Sequence, residues 1–168
     1  MSYFVVMVAC VLLTGCGFEP LYGGAPTASA EKTVTQGLDQ VDINLIPNAE
    51  GVFLRNALID RFYQNGYPAQ PAYTLTIDEI KQSKSDFDIT IDSEATRRQL
   101  TLSTRLILSD VGTLKPVLER KIKIVTSYDV IGSQFSTRIA EDDARKAALN
   151  DLARQIETHI ALFLSQGQ

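Results

Sequence analysis

Residues 96–110 read TRRQLTLSTRLILSD, and the fold turns on that stretch. Leu100, Leu102, Leu106 and Leu108 share one parity. That is the signature of a long β-strand with one buried face, since a helix would repeat its apolar residues at three and four. Asp110 to Gly112 turns the chain, and the following PVLERKIKIVTSY alternates again, with Leu118, Ile122 and Ile124 on one parity. Upstream, YTLTIDEIKQSKSDFDITI alternates at Tyr73, Leu75 and Ile77 and then at Phe87, Ile89 and Ile91. The polar interruption between the two halves predicts a bulge or bend within one strand whose halves face the same core. Three strands so close in sequence imply an antiparallel meander.

Downstream, the segment from about Thr137 to Leu164 has no Gly or Pro, and Ala148, Leu149, Leu152, Ile156, Ile160 and Phe163 trace a helical stripe. On the other side, Val41, Ile43 and Leu45 alternate in VDINLI, a strand ended by Pro47. Asn48 is placed to cap a helix with Glu50 in its first turn and Leu54, Leu58 and Phe62 along one side. Asn65-Gly66 and Pro68 stop that helix. The expected fold is α+β, in the order β-α-β-β-β-α, with a mixed four-stranded sheet and two helices packed on one face. The helix after the first strand makes a crossover, so that strand must join beside a later one.

The amino-terminal stretch has a different character. Tyr3 to Leu13 is apolar and uncharged, too short for a bilayer-spanning helix of about 20 residues but suited to a signal-peptide core. It ends in Leu13-Thr14-Gly15-Cys16, which resembles the bacterial lipobox. Small residues there admit the signal peptidase, and the Cys16 thiol accepts the diacylglycerol. Met1 to Tyr3 carries no basic residue, leaving the α-amino group as the positive charge ahead of the core. The expected organisation is a signal peptide over residues 1–15, a lipidated terminus and flexible tether over 16–38, and one α/β domain over 39–168. With Cys10 removed and Cys16 lipidated, no internal disulfide is possible, which suits an oxidising periplasm. The net charge of −4, from 16 basic and 20 acidic residues, argues against a general polyanion binder, nucleic acid included.

Little in the chain announces catalysis. The single histidine, His159, lies beside the apolar stripe of the last helix without a ligand partner at metal spacing, so a structural role is expected and no metal site. Asp142 and Asp143 are read as carboxylates favoured by the start of that helix. Asp78, Asp86, Asp88 and Asp92 alternate with core positions and are read as solvated charges on the outer sheet face. Nucleophile, phosphate-loop and paired Cys or His motifs are absent, so a binding or assembly protein is expected, with no cofactor beyond a covalent lipid on Cys16. On the parity opposite the leucines, Arg97, Arg105, Lys121 and Lys123 stand among Thr101, Ser103 and Ser127. Such a face could hold an anionic lipid headgroup, with Arg97 and Arg105 as the main contacts and Lys121 and Lys123 supporting, or its cations could simply pair with acidic neighbours on the second strand.

Three stretches carry a family resemblance: CGFEPLYG directly after the lipobox, ATRRQL opening the long strand, and SYDVIGSQFSTRIAEDDARKAALNDLARQI leading into the last helix. With them the chain resembles the LptE family of lipopolysaccharide-assembly lipoproteins in its alphaproteobacterial form. The resemblance implies two helices on a four-stranded sheet, and a plug inside the LptD outer-membrane barrel that helps the barrel fold and helps deliver lipopolysaccharide. It also implies a lipid anchor on the periplasmic side of the outer membrane, which Gly17 after the cysteine fits. The competing reading is an auxiliary periplasmic lipoprotein of a lipid-transport ABC system.

Overall fold

The structure, a computed structural model, describes residues 37–64, 66–89, 95–130 and 132–166. The expected signal segment, Cys16, most of the tether, Asn65, Ile91 and Asp92 lie outside the described residues, as do the side chains of Phe87, Asp88 and Ile89. The elements are β1 (Val41–Ile43), α1 (Asn48–Phe62), β2 (Tyr73–Ile77), β3 (Lys81–Ile89), β4 (Ala95–Asp110), β5 (Pro116–Asp129) and α2 (Gln134–Gln166).

β4 is the axis of the sheet. One of its edges pairs along its length with β5, from Arg97↔Asp129 to Ser109↔Pro116. Its other edge is shared: β2 covers the carboxy-terminal half, with Leu75 opposite Leu108, and β3 covers the amino-terminal half, with Lys84 opposite Leu100. β1 adds to β2 in parallel, with Val41 opposite Tyr73. The sheet is therefore mixed, with five strands in four columns, because the expected second strand breaks into β2 and β3 at residues 78–80. The break is stitched to β4 by Asp78 N donating to Arg105 O (2.9 Å) and by Thr104 Oγ1 donating to Asp78 O (2.7 Å). Thr104 sits on the leucine parity, where a buried hydroxyl needs such a partner.

The leucine parity of β4 meets both helices in one core. Leu75, Leu100, Leu102, Leu106 and Leu108 from the sheet, Leu54 and Leu58 from α1, and Leu152, Ile156 and Ile160 from α2 are all fully buried. The folded body already includes Leu38, 3 % exposed and one residue ahead of the expected boundary. Leu45, expected on the inner face of the first strand, is instead 85 % exposed, because β1 ends at Ile43 and the next buried side chain is Ile46. β1 needs a partner on its open edge. Tyr63 supplies it, its hydroxyl donating to Val41 O (2.9 Å) and accepting from Ile43 N (3.1 Å). Burial is the largest influence on that phenol and pushes its pKa up.

Helix starts differ from expectation at both helices. The cap position falls on Pro47, which supplies no side-chain cap, and Asn48, expected there, opens α1 itself with φ 67°; its side-chain amide donates to Glu79 Oε1 at 2.6 Å, tying α1 to the strand break. α2 begins at Gln134, ahead of Thr137, so Asp142 and Asp143 lie beyond its first turn and outside the reach of the helix dipole. Asp142 has a nearer partner in Arg145, at 2.7 Å.

Candidate functional site

The outer sheet face carries the four expected cations on a common parity, with Arg105 opposite Lys121, Ser103 opposite Lys123 and Arg97 opposite Asp129. Their electrostatics differ. Arg105 Nε lies 2.9 Å from Asp78 Oδ2 and its NH1 3.3 Å from Glu119 Oε1, and the Asp78 hydrogen bond holds the guanidinium pKa above its usual value. Arg97 Nε lies 3.1 Å from Asp129 Oδ1. Lys121 and Lys123 are exposed and make no ion pair among the described residues. Two of the four charges are thus already answered at the surface, where such pairs contribute little to stability. Among the described side chains of the expected second-strand acids, Asp78 answers one of the four, and Glu119 and Asp129 come from β5.

The four do not converge on one cavity. Arg105 and Lys121 line a shallow depression of about 390 Å³ with Asp78, Glu79, Lys81 and Ser103. Arg97 lines another of about 390 Å³ with Gln99, Val125 and Ser127. Lys123 belongs to a groove of about 540 Å³ between β5 and α2, opposite Asp151, Arg154 and His159. A ligand spanning the face would meet separate cationic points among hydroxyls, an arrangement suited to an extended polyanionic surface more than to a small enclosed substrate. Among the described residues no group of three His, Cys, Asp or Glu could hold a metal ion, and no helix is long and apolar enough to cross a membrane.

A second polar constellation lies on the inner parity, beyond the apolar core. Glu141 of α2 accepts from Lys84 Nζ of β3 (2.5 Å), from Tyr128 Oη of β5 (3.1 Å) and from Arg145 (2.5 Å). Arg98 of β4 bonds Asp86 at 2.8 Å, and its interaction with Tyr128 links that pair to Glu141. Burial pushes the Glu141 carboxyl up, but Lys84, Tyr128 and Arg145 together overcome it and hold the pKa below the ordinary value. Asp86 is therefore not on the outer face as expected: it stands opposite Arg98 on the helix side, and a register shift separates it from Asp88, opposite Arg97. Sequence reasoning missed this cluster. Its signals were an arginine at 98 on the leucine parity and the Glu141/Arg145 spacing of four, which puts both on one helix face. Arg98, Tyr128, Glu141 and Arg145 come from the ATRRQL and SYDVIGSQF…AEDDARK stretches that carried the family resemblance.

Several solved structures share the fold. A candidate lipoprotein from Caulobacter crescentus superposes with a TM-score of 0.60 at 22 % identity, over 80 % of this chain and 97 % of that one. The rare lipoprotein B from Shewanella oneidensis gives 0.58 at 13 % identity, over 72 % of this chain and 92 % of that one. A minor lipoprotein from Acinetobacter baumannii gives 0.57 at 19 % identity, over 73 % and 90 %. No curated protein matches the sequence. The family profile of LptE, lipopolysaccharide assembly, matches residues 38–160, from the first buried leucine of the core to the Ile160 of α2. The chain thus belongs to the LptE family and is a lipopolysaccharide-assembly lipoprotein.

Proposed function

We propose that this protein is anchored by a lipid on Cys16 to the periplasmic side of the outer membrane, where it serves as plug and assembly partner of the LptD barrel. Family membership over residues 38–160 carries the reading. The fold supports it, because the outer sheet face is hydroxyl-rich and charged, and the lumen of a large barrel is itself polar. The role is non-enzymatic: binding and positioning, with lipopolysaccharide as the cargo. In this reading Lys121 and Lys123 make the first headgroup contacts, since they make no ion pair among the described residues, while Arg97 and Arg105 would exchange a carboxylate for a phosphate.

A detergent pull-down from outer membranes through a carboxy-terminal tag tests the partnership. Recovery of a large β-barrel protein is expected, whereas recovery of inner-membrane transporter subunits would replace this reading with the ABC-auxiliary one. For the cargo, Lys121→Glu with Lys123→Glu should weaken binding of purified lipopolysaccharide at least several-fold without moving the thermal melt, because exposed charges contribute only about 0–1 kcal/mol to stability. Unchanged affinity on a normally melting variant would show that this face is merely solvated.

A further inference from the structure

The β4–β5 hairpin presents an apolar side chain in a conformation that works against stability. Leu114 has φ 56°, a left-handed value that favours glycine or asparagine, and it is 83 % exposed. The turn around it is firmly held. Asp110 Oδ1 accepts from Thr113 N and Thr113 Oγ1, both at 2.7 Å, Leu114 N donates to Asp110 O at 2.9 Å, and Asp110 N donates to Lys115 O at 3.0 Å. An exposed leucine gains nothing from the fold, so strain without compensating burial points to a contact outside the chain. Val111, 40 % exposed, and the exposed Lys115 flank it.

The tip's position says what it meets. Val111 N donates to Ala72 O (2.9 Å), Ala72 N to Gln40 O (2.9 Å) and Gln40 N to Gly37 O (3.3 Å), so the hairpin tip and the point where the chain leads back toward Cys16 lie at one end of the domain. Tyr67, 70 % exposed, packs on Tyr63 at that end with ring centroids 4.9 Å apart. An aliphatic tip flanked by a lysine and a nearby exposed tyrosine matches the water–lipid boundary, where apolar groups enter the acyl region and amphipathic rings and ammonium groups stay at headgroup level. We propose that the β4–β5 tip seats on the phospholipid surface that holds the protein, with Leu114 among the acyl chains and Lys115 at the phosphates. The proposal rests on the Cys16 anchor of the preceding reading, not on the barrel partner. An anchored chain holds the tip at high effective concentration near the bilayer, so one inserted leucine suffices to orient the domain without binding a membrane alone.

The chain has no tryptophan. Leu114→Trp and Phe135→Trp therefore each install a single reporter, the second on the exposed first turn of α2, at the opposite end of β4. The full lipidated protein is placed in vesicles of phosphatidylethanolamine with a minor fraction of phosphatidylglycerol, with no barrel protein present, and fluorescence is compared with and without acyl-brominated lipid. Emission at 114 should shift to the blue and lose about half its intensity to the brominated chains, while emission at 135 should stay water-like. No quenching at 114, or equal quenching at both ends, on a protein that melts normally overturns the proposal. Intact-mass measurement reports the lipid on Cys16 separately: a lipidated chain without quenching defeats the tip contact alone, and an unlipidated chain free of the vesicles defeats the anchor and the proposal together.

Discussion

Gly51 shows how much one missing methyl can matter. It lies in the first turn of α1, and a Cβ there would stand 2.7 Å from the carbonyl carbon and oxygen of Ile46 and 2.8 Å from its Cγ2. Neither backbone nor a buried isoleucine can retreat without disturbing the loop that turns β1 into α1. Alanine normally improves a helix interior by about 1 kcal/mol over glycine, but overpacking against fixed atoms costs about 1–3 kcal/mol. Gly51→Ala should therefore lower stability in urea titration by about 1–2 kcal/mol, while Gly112→Ala, whose nearest neighbour is a carboxylate oxygen at 3.5 Å, should change it little. Equal stability of the two variants would show that the α1 start can shift. Nothing in the sequence marks Gly51 as special, because the clash depends on where Ile46 is brought by the turn before the helix.

α2 is held in two ways along its 33 residues. From Ala148 onward its stripe is buried in the core, whereas its first turns expose Phe135 (74 %) and Ile139 (46 %) and are tied to the sheet through Glu141. The Glu141 carboxyl has its pKa lowered from 4.5, so its contribution is complete above about pH 4.5 and is lost as pH falls through the lower folded value. Glu141→Gln should lower stability at neutral pH by about 1–2 kcal/mol, since it weakens charge-assisted bonds to Lys84 and Arg145. Its melting temperature should also fall less steeply than the parent's below pH 4.5, the ordinary value of the carboxyl. Parallel acid profiles for the two proteins would place the acid-sensitive group elsewhere. Hydrogen exchange in the variant should rise first in the opening turns of α2, which lack buried apolar residues.

At the scale of the whole molecule a single core links β1, β2, β4 and β5 with both helices, so damage at one point should be felt everywhere. Leu152 and Ile156 are 0 % exposed at its centre. Leu152→Asp buries a carboxylate within the apolar core cluster, a change of several kcal/mol against a total stability of about 5–15 kcal/mol. Loss of the cooperative thermal transition is expected; a normal melt would mean that α2 leaves the sheet in solution. The core occupies the inner face, and the cations, the hydroxyls and the apolar hairpin tip are left for partners.

Alternation of leucines in β4, isoleucines in β5 and the stripe of α2 follows from local geometry, because a strand repeats every two residues and a helix every 3.6 wherever one face is buried. Those periods by themselves determined the α+β class, the order of elements except for the break that divides the expected second strand into β2 and β3, the antiparallel meander and which side of β4 and β5 carries Arg97, Arg105, Lys121 and Lys123. Which of those cations find a partner among the described residues depends on tertiary placement. Asp78 reaches Arg105 because the strand breaks at residues 78–80, and Asp129 meets Arg97 because β5 runs in that register. Arg98, Tyr128 and Glu141 likewise meet from three elements. Burial leaves a periodic trace in the chain, whereas register, strand breaks and cross-element charge pairs depend on residues far apart in sequence and leave none.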